Sequence, residues 1–242
     1  MLSLFFVDQL GSGDTQELSG DEGHHAVAVM RLAIGEQIRI ADGSGNWVSG
    51  TITEVGKKSL MIDVAERGSA QAGKPELIVV QAVTKSDRTK EMLELLTVGG
   101  ADQIIPWQAE RCISKWQSDS ASKWQVLIKE AAKQSRRLKL PVLHDEVTTN
   151  QLVKLFKSTD NIVVLHESAS TGISQLNLSK VSEHEIERII LIIGPEGGIS
   201  DTEISQLEAA GAVTARMGEL VLRSAHAGFA ALSAIQTSIG RW

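Results

Sequence analysis

Ile189-Ile190-Leu191-Ile192-Ile193-Gly194-Pro195-Glu196-Gly197-Gly198-Ile199-Ser200-Asp201-Thr202-Glu203 is the stretch on which the fold turns. Its opening run, 189–193, has no polar face, the pattern of a strand covered on both sides in a parallel sheet. Glycines follow at once and let backbone approach a ligand closely. Open α/β sheets bind ligands at such strand ends. Ser200 and Glu203 then stand at capping-box spacing, so a helix opens there. The loop is a ligand cradle or a tight turn with nothing bound. It lacks the Gly-Lys-Ser/Thr of a Walker loop, and no Gly-x-Gly-x-x-Gly follows a strand anywhere, which argues against an ordinary dinucleotide site.

The same grammar extends on both sides. Strands are expected at residues 77–83, 103–106, 161–165 and 213–217. Helices are expected at 87–98, 122–139, 202–210 and 224–239, with a helical fragment at 153–156. Alternating strands and helices predict an α/β domain with a parallel sheet over 76–242. Residues 68–75, rich in small residues and ending in Pro75, read as a linker. The segment before it is β-rich. Strands are expected at 4–7, 37–41, 47–55 and 60–64, with a turn at Asp42-Gly43-Ser44-Gly45 and a short helix over 24–30 capped by Asp21. Residues 1–68 thus predict a small barrel or sandwich.

At 242 residues and 42% hydrophobic, the chain can bury a full core without staples. The single cysteine, Cys112, excludes an intramolecular disulfide and argues against a cysteine-built zinc site. His24-His25 has no evident third ligand, so no metal is expected. The apolar start MLSLFFVDQL has no basic leader and is too short for a membrane span, so a cytoplasmic protein with no membrane partner is the expectation.

Net charge is −6, but eight Lys/Arg face two acids over residues 111–140, so the remainder carries −12. Within the helix expected over 122–139, Trp124, Leu127, Ile128, Ala131, Ser135 and Leu138 share a face. Lys129, Lys133 and Arg136 lie opposite, with Arg137 nearby, and Arg111 and Lys115 precede them. A solvated face is the ordinary reading of such a run. The scarcity of compensating acids favours phosphate binding. Lys85 and Arg88, at a strand-to-helix junction, could also clamp phosphate, while Asp87 could cap the helix.

Loops after two other strands, Leu165-His166-Glu167 and 217–223, could converge with the glycine loop on one pocket. His166 and Glu167 could serve acid–base chemistry, though a solvated pair of side chains is the favoured reading. The last helix carries a small-residue stripe of Ala227, Ala230, Ala231, Ala234 and Ser238 and an apolar side of Phe229, Leu232, Ile235 and Ile239. A helix apolar on both sides must be covered on both, which suggests a homodimer.

Taken together, several pieces of the chain resemble the 16S ribosomal RNA (uracil-N3)-methyltransferases of the SPOUT superfamily. They are His24-His25, Val29-Met30-Arg31, Gly35-Glu36, Asp42-Gly43, the run 85–88, Ile105-Pro106, Arg111, Glu130-Ala131-Ala132, the run 134–137, Gly194–Gly198 with Glu203, and Gly218 with Leu222-Arg223. The resemblance covers nearly the whole chain. It implies an N-terminal PUA-like β-barrel over 1–68 and a C-terminal SPOUT domain with a deep trefoil knot over 76–242. The cofactor implied is S-adenosylmethionine, bound by Leu165, His166, Glu167, Gly194, Pro195, Glu196, Gly197, Gly198, Met217, Gly218, Glu219, Val221 and Leu222. The substrate implied is small-subunit ribosomal RNA, contacted by Lys85, Arg88, Arg111, Lys129, Lys133, Arg136 and Arg137. Arg223 is the residue expected to stabilise the uridine anion. The chain departs from the family pattern Leu-Gly-x-Arg-Ile-Leu-Arg-Thr-Glu-Thr-Ala over 217–227. Leu220 replaces the first arginine, Ala225 the glutamate and His226 the second threonine. His226 either substitutes functionally or packs. The competing class is a non-catalytic RNA-binding adapter.

Overall fold

Ser3–Phe6 (β1) opens a five-stranded sheet with Thr15–Leu18 (β2), Gln37–Ala41 (β3), Asn46–Val55 (β4) and Leu60–Ser69 (β5). The computed structural model describes residues 2–71, 73–176 and 186–242. The sheet order is β1-β3-β4-β5-β2, with β1 parallel to β3 and the other pairs antiparallel. The β3–β4 turn is held by the Asp42 carboxylate, which accepts from the Ser44 and Asn46 amides at 2.8 and 3.1 Å. Phe5, Leu18, Ile38, Ile40, Ile52 and Ile62 fill one face.

Strand β2 was not expected. Only Gln16 and Leu18 of its four residues turn inward, too short a pattern to read. The helix expected over 24–30 is instead Gly20–His24 (α1), preceded by Ser19 rather than Asp21 at the cap position and followed by a π-turn, His25–Val29.

The second sheet contains Glu76–Ala82 (β6), Gln103–Trp107 (β7), Val142–Leu143 (β8), Asp160–Leu165 (β9), Arg188–Ile193 (β10) and Val213–Ala215 (β11). Its order is β11-β9-β10-β6-β7-β8, and every neighbouring pair is parallel. Ile189–Ile193 lies in register between Leu77–Gln81 and Asn161–Leu165, which explains its continuous apolar run. One face packs Ile78, Val80, Trp107, Ile162, Ile190, Ile192 and Leu207. Helices Ser86–Val98 (α2) and Ser224–Ser238 (α6) pack on each other, and α6 also lies against β6 and β10. Met92, Leu93, Leu96, Ala231, Leu232 and Ile235 of these helices are buried. Each large aliphatic side chain so covered contributes about 1.5–3 kcal/mol. Thr149–Leu152 (α4) continues into a 3-10 turn, Val153–Leu155, where the fragment at 153–156 was expected. Asp201–Ala209 is α5, capped as its sequence predicts.

Helix Ser120–Ser135 (α3) is shorter than expected. Arg136 takes a left-handed φ of 56°, and the Arg137 amide bonds back to the Ala132 carbonyl at 2.9 Å. That closing pattern ends a helix. Contacts divide the chain into Met1–Gln71 with Lys129–Leu140, and Ala72–Ile128 with Pro141–Trp242. The second half of α3 therefore belongs with the first sheet, where Ala132, Leu138 and Leu140 pack with Leu4, Phe6, Ala41 and Trp47. The helix was expected to belong to the parallel-sheet domain throughout.

The expectation that the basic face goes largely uncompensated by acids is also corrected. Glu22 binds Lys129 at 3.3 Å and Lys133 at 2.8 Å, and the Lys133 ammonium lies 5.4 Å from the Phe5 ring centre. A partner 111 residues away is invisible to helical periodicity. Arg136 is exposed, and the Arg137 Nε donates to the Lys139 carbonyl at 2.8 Å.

Candidate active site

The loop after β10 needs its glycines for different reasons. A Cβ on Gly194 would fall 2.6 Å from Ile199 Cγ1, and Gly198 has a φ of +76°. The Gly198 amide closes a turn onto the Pro195 carbonyl at 2.9 Å. Ser200 Oγ accepts from the Glu203 amide at 3.3 Å, and the Glu203 carboxylate accepts from the Ser200 amide at 3.3 Å, the capping box anticipated from spacing. Glu203 is buried, and its other oxygen accepts from the Glu110 amide at 3.0 Å and from Thr149 Oγ1 at 2.7 Å. Thr149 Oγ1 in turn accepts from Trp107 Nε1 at 3.1 Å. A buried carboxylate saturated with donors is a rigid tie. It fixes the start of α5 to the chain leaving β7.

That tie brings Arg111 against the glycine loop. A Cβ on Gly197 would stand 3.0 Å from the Arg111 carbonyl oxygen and 3.1 Å from its Cβ. Gly197 therefore presents its open side to Arg111. It was expected to present that side to the cofactor, and this is a correction.

The loops after β9 and β11 are joined by main-chain bonds. The His166 amide donates to Ala215, Arg216 to Thr171 and Ile173 to Arg216, each at 2.9 Å. The chain then runs through 217–223 into α6, whose first residue returns to the glycine loop. Ser224 Oγ donates to the Gly194 carbonyl at 2.6 Å and accepts from Gln81 Nε2 at 3.0 Å. At the start of α2, Lys85 occupies the cap position and Asp87 makes no capping bond, instead lying 3.7 Å from Arg88. One turn further, Glu91 Oε1 is 3.0 Å from His226 Nε2, and Arg88 approaches Glu91 at 3.6 Å. The hydrogen bond from His226, then the charges of His226 and Arg88, hold the Glu91 carboxyl below the usual carboxylate range.

These segments enclose a cavity of about 570 Å³ within the second unit. Of the expected cofactor residues, Leu165, His166, Glu167, Gly194, Pro195, Glu196, Gly198, Met217, Gly218, Glu219, Val221 and Leu222 line it. Lys85, Arg88 and Arg223 join them, whereas Gly197, Arg111, Lys129, Lys133, Arg136 and Arg137 do not. Sequence reasoning missed Glu91, Ile113, Arg216 and Ser224 as wall residues. No local pattern marks them, because each reaches the cavity through the packing of separate elements.

The volume falls within the range of small-molecule sites. A Cβ on Gly218 would meet nothing within 4 Å, so this wall has space to admit a ligand. Leu165, Ile193 and Leu222 offer an apolar surface to an aromatic ring, and the loop backbones offer polar groups. These residues fit S-adenosylmethionine.

Residues 72–236 match the family model of an RNA methyltransferase domain, and residues 18–64 match that of an RNA methyltransferase PUA domain. A parallel α/β unit with a ligand-sized cavity at its strand ends, in one chain with a PUA domain, is thus of the RNA methyltransferase class. The chain is 35% identical to Ribosomal RNA small subunit methyltransferase E of Mycobacterium bovis, over 99% of this chain and 93% of the relative. It is 30% identical to the Bacillus subtilis protein of that name, over 94% and 91%. The chain belongs to the ribosomal RNA small subunit methyltransferase E family. A Neisseria gonorrhoeae member solved with S-adenosylmethionine shares the fold, with TM-score 0.88, 22% identity and 98% of each chain covered. A Legionella pneumophila protein, also solved with S-adenosylmethionine, matches with TM-score 0.82, 27% identity and 98% of each chain covered.

Proposed function

We propose that this chain transfers a methyl group from S-adenosylmethionine to N3 of a uridine in small-subunit (16S) ribosomal RNA. The observation that carries the reading is the cavity whose walls are the three strand-end loops, with open space at Gly218. S-adenosylmethionine, when bound, supplies an electrophilic methyl carbon. The protein must position uracil against it and accommodate the charge left when the weakly acidic N3–H is ionised. Arg223 is the residue for that charge. It lines the cavity, is exposed, and no described residue pairs with its guanidinium.

In this reading, residues 1–68 form a PUA-like barrel and 76–242 a SPOUT domain with a trefoil knot. RNA backbone meets Lys85, Arg111 and Arg136, with Arg88, Lys129, Lys133 and Arg137 contributing less because each has a partner within the chain. The enzyme works in the cytoplasm as a homodimer through α6. One side of that helix, with Ala231, Leu232 and Ile235, is buried in its own unit, while Phe229, Ala230 and Ala234 are only partly covered.

The second reading is an RNA-binding adapter without catalysis, favoured by Ala225 where the family pattern has glutamate. Calorimetric titration with S-adenosylmethionine separates the two. Saturable one-to-one binding is expected, and no binding by folded protein would favour the adapter.

A further inference from the structure

Methylation at N3 requires that the N3 proton leave, and a proton needs a lone pair to receive it. Two histidines stand at or beside the cavity, and their hydrogen bonds assign them opposite capacities. His166 Nδ1 accepts from the Ser168 amide at 3.3 Å. Its neutral ring therefore carries hydrogen on Nε2 and can only donate from there. His226 has the same tautomer but engages the other nitrogen. Its Nε2 lies 3.0 Å from Glu91 Oε1, and an ionised carboxylate only accepts, so the neutral ring carries hydrogen on Nε2 and keeps the Nδ1 lone pair.

We propose that the Nδ1 of His226, oriented by Glu91, takes the N3 proton of the target uridine. This rests on the uridine-N3 reading given above. His226 lies in the first turn of α6, between the cavity-lining residues Ala225 and Ala227 and three residues after Arg223, and its partner Glu91 lines the cavity. Its side chain is 42% exposed, so a base can reach it. Of charged groups, Glu91 meets it directly, and Lys85, Asp87 and Arg88 from the start of α2 and Arg223 ahead of its own helix line the adjoining cavity. Arg88 approaches Asp87 and Glu91 Oε2, while Glu91 Oε1 faces His226 and stabilises the imidazolium as it forms. The other carboxylates of the wall, Asp87, Glu167, Glu196 and Glu219, have no histidine partner among the described residues. Carboxylates are ordinarily weaker bases than imidazole and less suited to a weakly acidic N–H.

In the step, the N3–H bond breaks and the proton passes to Nδ1. The N3 electron pair forms the bond to the methyl carbon, and the carbon–sulfur bond breaks with its pair left on sulfur. The neutral thioether departs, and the imidazolium returns its proton to water.

The test is single-turnover methyl transfer to unmodified small-subunit ribosomal RNA as a function of pH, with N3-methyluridine read by mass spectrometry. Wild-type protein, His226→Ala, His226→Gln and Glu91→Gln are compared at matched S-adenosylmethionine occupancy. The wild-type rate should rise with pH along one limb, as expected when an essential base must be deprotonated. Both His226 variants should be slower by about 100-fold and lose that limb, as removal of a general base predicts. Added imidazole should restore part of the rate to His226→Ala. Glu91→Gln should be slower but keep the limb. His226 variants that bind S-adenosylmethionine normally and retain the wild-type rate, or that slow with an unchanged pH limb, would overturn the proposal. Wild-type protein that makes no N3-methyluridine would overturn the uridine-N3 reading itself, and the proposal with it.

Discussion

Ser224 Oγ and the Gly194 carbonyl oxygen are 2.6 Å apart, and this single hydrogen bond ties the first residue of α6 to the first glycine of the loop after β10. Gln81 Nε2 completes the relay from β6 at 3.0 Å. Ser224→Ala leaves the Gly194 carbonyl without this donor, while the Gln81 amide keeps only its bond to the Ala82 carbonyl at 3.2 Å. It should destabilise the protein by about 1–3 kcal/mol and weaken S-adenosylmethionine binding by loosening two cavity walls together. Thermal denaturation and calorimetry on the same variant check both effects.

Gly218 and Gly198 separate cofactor contact from backbone strain. Gly218→Ala meets no protein atom within 4 Å. It should leave stability nearly unchanged while lowering S-adenosylmethionine affinity. Gly198→Ala forces a side chain onto a φ of +76° and should cost about 1–2 kcal/mol. Denaturation midpoints set beside calorimetric affinities give the comparison; equal stability losses in the two variants would contradict it.

Glu203 accepts from Ser200, Glu110 and Thr149 in a buried setting. Glu203→Ala orphans those donors and should cost about 3 kcal/mol or more. Glu203→Gln should cost less, since one amide oxygen still accepts. Urea unfolding measures both.

The basic segment after Ile128 gives a graded prediction. Arg136→Ala should lower the log–log salt slope of RNA binding by roughly 0.7 to 1 if it meets a phosphate. Lys129→Ala and Lys133→Ala should change it less, because Glu22 engages both. Glu22→Gln should release them and steepen the slope. Affinity measured at several salt concentrations decides.

What the sequence made legible was local. The all-aliphatic run ending at Ile193, the glycines after it and the Ser200–Glu203 cap are each written in consecutive residues, and all are present as read. The convergence of three loops followed from parallel strands sharing one end. What escaped was set by distance along the chain. Glu22 meeting Lys133, Arg111 meeting Gly197 and Glu91 meeting His226 involve no shared periodicity. Strands β2 and β8 are too short to impose a pattern, and the left-handed turn at Arg136 occurs without the glycine that would announce it.

The most direct measurement incubates purified protein with isotopically labelled S-adenosylmethionine and small-subunit ribosomal RNA lacking the modification, followed by nucleoside mass spectrometry. The expected result is one labelled methyl per RNA, recovered as N3-methyluridine. Label recovered in another nucleoside, or no label from protein that binds S-adenosylmethionine, would contradict the proposed function.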